Sequence, residues 1–162
     1  MEELEGIEID KGKKPLCYKF TDIFKGFEDV KAVKDLFGKD AKKVLSSIKV
    51  VLIPSRWGGY FYVDDKYKVL VGNIYYIKRA EKRYLYLDII HELVHFKQMM
   101  EGKKLFYKNK AYFESPSEKE AYKITIDEAK KLGMNREEIK EYLRVEWASE
   151  EELEKFINEM NV

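Results

Sequence analysis

Leu87-Asp88-Ile89-Ile90-His91-Glu92-Leu93-Val94-His95-Phe96-Lys97-Gln98 sets two histidines four residues apart in an apolar run. Counted outward from them, Tyr84, Leu87, Ile90/His91, Val94/His95 and Gln98/Met99 recur with the helical period. The spacing predicts a helix from about Ala80, and Gly102 stands where its C-terminal stop belongs. Residues four apart on a helix lie one turn above each other, so the two imidazoles share a face. They are the only histidines among 162 residues. Glu92 lies about 100° further round the helix.

Two imidazoles one turn apart can reach a single metal ion, and the intervening carboxylate can then address a water beside it. The alternative is an amphipathic helix whose histidines are ordinary core residues. Burying both, however, requires polar partners, and a metal would supply them. A catalytic tetrahedral site needs a third protein ligand and one open position. No third His exists, and the lone Cys17 is far away in sequence. The third ligand is therefore expected to be a carboxylate on the next helix, and Glu114, Glu118 and Glu120 are the candidates. Glu118 shares a helix face with Ala121, Tyr122 and Thr125, whereas Glu120 shares one with Lys123, Asp127 and Lys131, a solvated salt-bridge row. Helix-face grounds favour Glu118. A capping box with Ser115 also accounts for a Glu at that position, and Glu120 stays open as the ligand. Imidazole plus carboxylate suits zinc (Zn2+), although nickel or cobalt fit the same donors.

Around this centre the chain divides into three stretches. Residues 49–133 carry the candidate core. Lys49 to Ile53, Tyr60 to Val63, Tyr67 to Val71 and Ile74 to Ile77 are short β-prone runs separated by Pro and Gly turns. They predict a small, mostly antiparallel sheet, with the edge strand around Val69 to Ile77. Ser115-Pro116-Ser117-Glu118 opens a helix that runs to Leu132. Residues 1–48 comprise a charged, loosely held arm (1–14), a helix over Thr21 to Phe37 weakened at Gly26, and a short helix from Ala41 to Ile48. Residues 134–162 form a helical appendage, with starts at Asn135 and Ser149. All three stretches are expected to form one compact α+β domain, in which the sheet packs on the histidine helix and the Glu-bearing helix.

Composition narrows the class further. Lys+Arg number 31 against 30 Asp+Glu, for a net charge of +1, which argues against a polybasic nucleic-acid protein. Residues 124–143 resemble helix–turn–helix, but the second helix is acidic, which is wrong for reading a groove. The basic, aromatic loop 103–115 reads as a solvated connection or a cleft wall. One cysteine excludes an internal disulfide. The longest aliphatic run, Val50-Val51-Leu52-Ile53, is far short of a bilayer span, and no signal-peptide pattern opens the chain. No membrane partner and a cytoplasmic location are therefore expected. The Lys/Glu-rich, amide-poor balance points to a heat-adapted source. At the tail, Trp147 and Phe156 are expected to dock in the core. A weaker alternative has Glu146-Trp147 or the acidic helix Glu150-Glu151-Glu152 covering the cleft.

His91-Glu92-Leu93-Val94-His95 is the H-E-x-x-H pattern of the zincin metallopeptidases. Together with Pro116-Ser117-Glu118-Lys119-Glu120-Ala121-Tyr122, it resembles the gluzincins, in particular the compact archaeal minigluzincins. The resemblance covers roughly residues 50–145. It implies a zincin-like domain in which His91, His95 and Glu118 bind zinc and Glu92 is the general base for hydrolysis of a peptide or protein substrate, in an active or latent enzyme. Full-size gluzincins also use a Tyr or His to stabilise the transition state. No His is spare here, and several tyrosines are open for that role. The competing expectation is a non-catalytic zincin-like module that binds a protein partner.

Overall fold

Helix α5 (Lys82–Met100) is the axis of the molecule in the computed structural model, which describes residues 4–162. Twelve of its nineteen residues are buried, and from Leu85 to Phe96 only Asp88 reaches the surface. A helix buried on every side must be enclosed by neighbours. Helix α6 (Pro116–Lys131) lies along one side, and α2 (Lys31–Phe37) and strand β5 (Phe61–Asp64) touch others. Helix α5 stops at Gly102, whose φ of 74° suits the left-handed turn. The Lys103 N–H then closes on the Gln98 carbonyl at 2.9 Å.

The class is α+β. The four-stranded sheet has the order β2-β4-β6-β5, with β2 at Cys17–Lys19, β4 at Lys49–Ile53 and β6 at Val69–Asn73. Both outer pairs are antiparallel, but the central pair β4–β6 is parallel, in the register Val50↔Leu70 and Leu52↔Gly72. A further two-stranded antiparallel sheet joins β1 (Glu8–Ile9) to β3 (Phe24–Lys25).

Three expectations need correction. First, Ile74 to Ile77 is no strand: it belongs to α4 (Ile74–Arg79). The Asn73 side chain accepts from the Tyr75 N–H and donates to the carbonyls of Ser55, Gly58 and Gly59, so it caps a helix whose last turn carries Lys78 and Arg79. Local β-propensity loses to that cap. Consequently β6 is interior and β5 is the edge strand on this side. Second, the helix expected over Thr21 to Phe37 is broken into α1 (Phe20–Ile23), β3 and α2. The break falls at Gly26, whose φ is 90°. Third, the described part of the arm is held down: Leu4 and Ile7 are buried, and β1 is paired. Residues 1–3 of the arm lie outside the described residues.

Phe20, Phe24 and Phe27 pack within 6.3 Å of one another, Phe27 edge-on to the other two, and Phe27 stacks on Tyr86 of α5 at 5.7 Å. Each such ring contributes roughly 2–3 kcal/mol by leaving water. At the other end, α3 (Ala41–Ser47) feeds β4, while α7 (Arg136–Leu143) and α8 (Glu150–Glu159) follow α6. Both C-terminal helices begin at side-chain caps, Asn135 with Glu138 and Ser149. Lys140 and Arg136 of α7 pair with Glu154 of α8. Among the described residues no helix is long and apolar enough to cross a membrane.

A Cβ added at Gly26 would lie 1.9 Å from the Gly6 carbonyl oxygen, whereas one at Gly6 meets nothing within 4 Å. Gly26→Ala is therefore expected to cost more than about 1–2 kcal/mol in urea unfolding, and Gly6→Ala less than about 0.5. Equal losses would mean that the segment around β1 does not hold its place against Gly26.

Candidate metal centre

His91 and His95 turn their Nε2 atoms to within 3.2 Å of each other. Each ring is held from behind. His95 Nδ1–H donates to Gln98 Oε1 at 2.7 Å, and Gln98 Nε2 donates in turn to the Ser117 carbonyl and to Glu120 Oε1, each at 3.0 Å. The Thr125 hydroxyl donates to the Ala121 carbonyl at 2.8 Å, which leaves its oxygen to accept from His91 Nδ1 at 3.5 Å. Both Nε2 atoms are thereby aimed at one point.

Glu118 faces that point. Its Oε1 lies 2.5 Å from His95 Nε2 and 3.5 Å from His91 Nε2. The capping box with Ser115 is not made: Ser115 pairs its hydroxyl with Ser117, and the Glu118 carboxylate turns inward. Glu120 is exposed and engages Gln98 and Lys103 instead. Glu114 is exposed and reaches Lys155. Among the described residues, His91, His95 and Glu118 form a buried group whose donor atoms all lie within 4.8 Å of one another, a set that could hold a metal ion.

Two observations fit a cation to this group. Glu118 Oε2 and Glu92 Oε2 are buried without a hydrogen-bond partner among the described residues, and such orphans are costly unless something meets them. The local field also favours positive charge. Burial works against a charged His95, yet the hydrogen bond to Glu118 and the charges of Glu92 and Glu118 prevail and raise its pKa to about 9. Burial works against an ionised Glu118, yet the two histidines hold its carboxyl well below the usual range. Burial lowers the pKa of His91 and pushes that of Glu92 up to about 8. A proton on His95 thus sits where a metal cation would replace it.

Glu92 and the three candidate ligands open on a cavity of about 670 Å³, walled by strand β5 and by Leu105, Phe106 and Tyr107. The 103–115 loop therefore lines the cleft. Phe156 docks in the core as expected, but Trp147 does not. It is 53% exposed and stands beside Tyr60 and Tyr112, where the first cavity meets a second of about 420 Å³. Tyr112 faces both cavities, and its hydroxyl hydrogen-bonds that of Tyr122 at 2.7 Å. Burial, Tyr122 and Glu118 all raise the pKa of Tyr112, so its hydroxyl stays protonated.

The supporting roles of Gln98, Thr125 and Tyr112 escape a reading of the sequence alone. Gln98 carries a faint signal, being the chain's one glutamine and three residues after His95. Comparison with protein-family models, curated proteins and solved structures finds no match for this chain.

Calorimetric titration with Zn2+ or Co2+ is expected to show one tight site, lost in His91→Ala and Glu118→Gln. Gln98→Ala is expected to weaken the site by about 10- to 100-fold. Glu120→Gln is expected to keep the stoichiometry, and its loss there would make Glu120 the ligand.

Asp88 makes a pH prediction. Burial raises its pKa to about 6, against the hydrogen bonds from Tyr142 and Tyr76, which lower it. The unfolded value is about 3.9, so between about pH 4 and pH 6 the folded chain holds the extra proton and the contribution of Asp88 to stability falls as pH rises. Asp88→Asn lacks this titration, and its Tm relative to wild type should climb across that window in paired melts. A constant difference contradicts the raised value.

Proposed function

We propose that the protein is a zinc-dependent metallopeptidase of gluzincin type. The observation that carries this reading is the buried Glu92 carboxylate, whose Oε2 has no hydrogen-bond partner among the described residues, on the same cavity wall as the His91, His95 and Glu118 donors. A purely structural metal site would be closed and would have no use for a buried acid at its open side. Two imidazoles and a carboxylate suit zinc best.

His91, His95 and Glu118 hold the ion, with Thr125 and Gln98 fixing the two rings. Zinc in that position supplies Lewis acidity, which polarises a peptide carbonyl and acidifies water. Glu92 takes the proton from the attacking water and hands it to the leaving amine as the C–N bond breaks, so water is divided between the two product termini. Burial raises the pKa of Glu92, and a cation held by the three neighbouring residues would act against that and would leave Glu92 available as a base. The protonated Tyr112 hydroxyl is the donor suited to the developing oxyanion. Strand β5, last in the sheet order, offers an edge to an extended peptide, and Phe106 and Tyr107 line the cavity that would receive it.

Cleavage of a quenched-peptide library by the zinc-loaded chain tests this reading. Glu92→Ala is expected to lose about 10²- to 10⁴-fold in rate while retaining zinc. Tyr112→Phe is expected to lose about 10²-fold in kcat with KM little changed. Full zinc occupancy with no cleavage of any peptide makes the chain a binding module instead.

A further inference from the structure

We propose that the second cavity accepts the side chain of a lysine or arginine next to the scissile bond, with Asp88 as its counter-ion. This specificity rests on the peptidase reading above. Asp88 precedes His91 by three residues and Glu92 by four, so helix α5 places its carboxylate one turn below them on the same face. The two cavities share Tyr60, Phe61, His91, Glu92, Tyr112 and Trp147. A peptide whose reacting carbonyl lies at the metal therefore sends one flanking side chain into each.

The two cavities differ in chemistry. The first is walled by Leu105, Phe106 and Tyr107. The second is faced with tyrosine rings (Tyr60, Tyr76, Tyr84 and Tyr142) and carries Asp88 among them. Tyr76 and Tyr142 donate to the two oxygens of that carboxylate, the latter at 2.7 Å. Among the described residues no Lys, Arg or His forms an ion pair with it.

Of the other charged groups that line this cavity, Glu92 faces both cavities and is the proposed base. Arg144 is held by Glu141 and Glu150, and Glu81 by Arg83. Arg79 is exposed, with its guanidinium 5.4 Å from the centre of the Tyr76 ring. Apart from Glu92, the cavity thus holds at Asp88 a partly buried carboxylate with neutral donors only, among tyrosine rings.

A cation on an apolar stem matches all three features. The stem packs on the rings, the head is attracted by their faces, and its charge compensates the carboxylate. A neutral side chain of equal length would desolvate Asp88 without compensation. Two tyrosine hydrogen bonds alone could be a structural anchor, and the test separates that role from specificity.

Hexapeptide amides identical except for lysine, arginine, norleucine or glutamate at one central position are titrated against the full chain carrying Glu92→Gln, with one equivalent of zinc and without it. Removal of the proposed base leaves the peptides whole. Lysine and arginine peptides should bind at least about tenfold more tightly than norleucine, with glutamate weakest. Asp88→Asn in the same background should bring lysine and norleucine to within about twofold, without weakening norleucine. Equal binding of lysine and norleucine before Asp88 is touched overturns the proposal, and that comparison does not depend on the variant folding. A preference that survives in a folded Asp88→Asn chain, or a loss shared equally by all peptides, also overturns it. Cleavage by the wild-type chain is scored separately. Selective binding without cleavage removes the peptidase reading and leaves the cation pocket, whereas cleavage without basic preference does the reverse.

Discussion

One oxygen of Glu118 lies against both imidazoles of a helix that is buried on every side, and the surrounding architecture answers to that fact. Polar groups cannot be left bare inside a protein, so each one on α5 demands a partner from a different element. His95 reaches through Gln98 to the start of α6, and His91 reaches Thr125, about two turns beyond Glu118. Tyr86 donates to Glu128 near the end of α6. Asp88 gathers Tyr76 of α4 and Tyr142 of α7. These bonds lock α6 against α5 along its length and bring two further helices to the same face. The oxygens left over are Glu92 Oε2 and Glu118 Oε2, buried with no hydrogen-bond partner among the described residues.

The apolar part of the fold serves the same placement. The phenylalanine cluster of the N-terminal segment packs on α5 with Phe27 on Tyr86 as the seam, while strand β5 of the sheet meets α5 at the cleft. Gly72 in β6 lets the Phe61 ring lie close, since an added Cβ would stand 2.8 Å from it. The Phe61 ring thereby lies over Gly72, its partner in the β5–β6 register. On the opposite side, Phe113 stacks on Phe156 of α8 at 4.5 Å, which anchors the chain just before Glu118. Packing and chemistry thus meet in residues 112–118, a segment that carries Tyr112 and the third candidate ligand together.

Much of this was legible because it is written in local patterns. The period of α5, the spacing of its histidines, the Ser-Pro start of α6 and the Asn135 and Ser149 caps all depend on residues within one or two turns of each other. The face argument separates Glu118 from Glu120 for the same reason: three residues of burial pattern carry the distinction. The parts that escaped depend on distant partners. Nothing within β4 or β6 announces that they run parallel, and Cys17-Tyr18-Lys19 is a strand only because Val50 and Val51 lie beside it. Ile74-Tyr75-Tyr76-Ile77 has strand-forming residues but is helical, because Asn73 meets carbonyls up to eighteen residues away. Gly26 marks a break in the sequence. That the break admits the Gly6 backbone becomes visible only in three dimensions.

The C-terminal helices take a different meaning from this geometry. As sequence they are an acidic appendage, and the natural question is whether they cover the cleft or merely pack. Phe156 packs, whereas Trp147 and Tyr142 do neither simply: one stands at the junction of the two cavities and the other holds Asp88 at the base of the second. Helix α7 is therefore a wall. A cleft with a hydrophobic loop on one side and a tyrosine-lined acidic recess on the other is asymmetric across Glu92, and the tail contributes Tyr142 and Trp147 to the second side. The candidate ligands lie on the two helices α5 and α6, whereas the walls around them come from segments far apart in the chain, so the sequence pattern that marks the first does not mark the second.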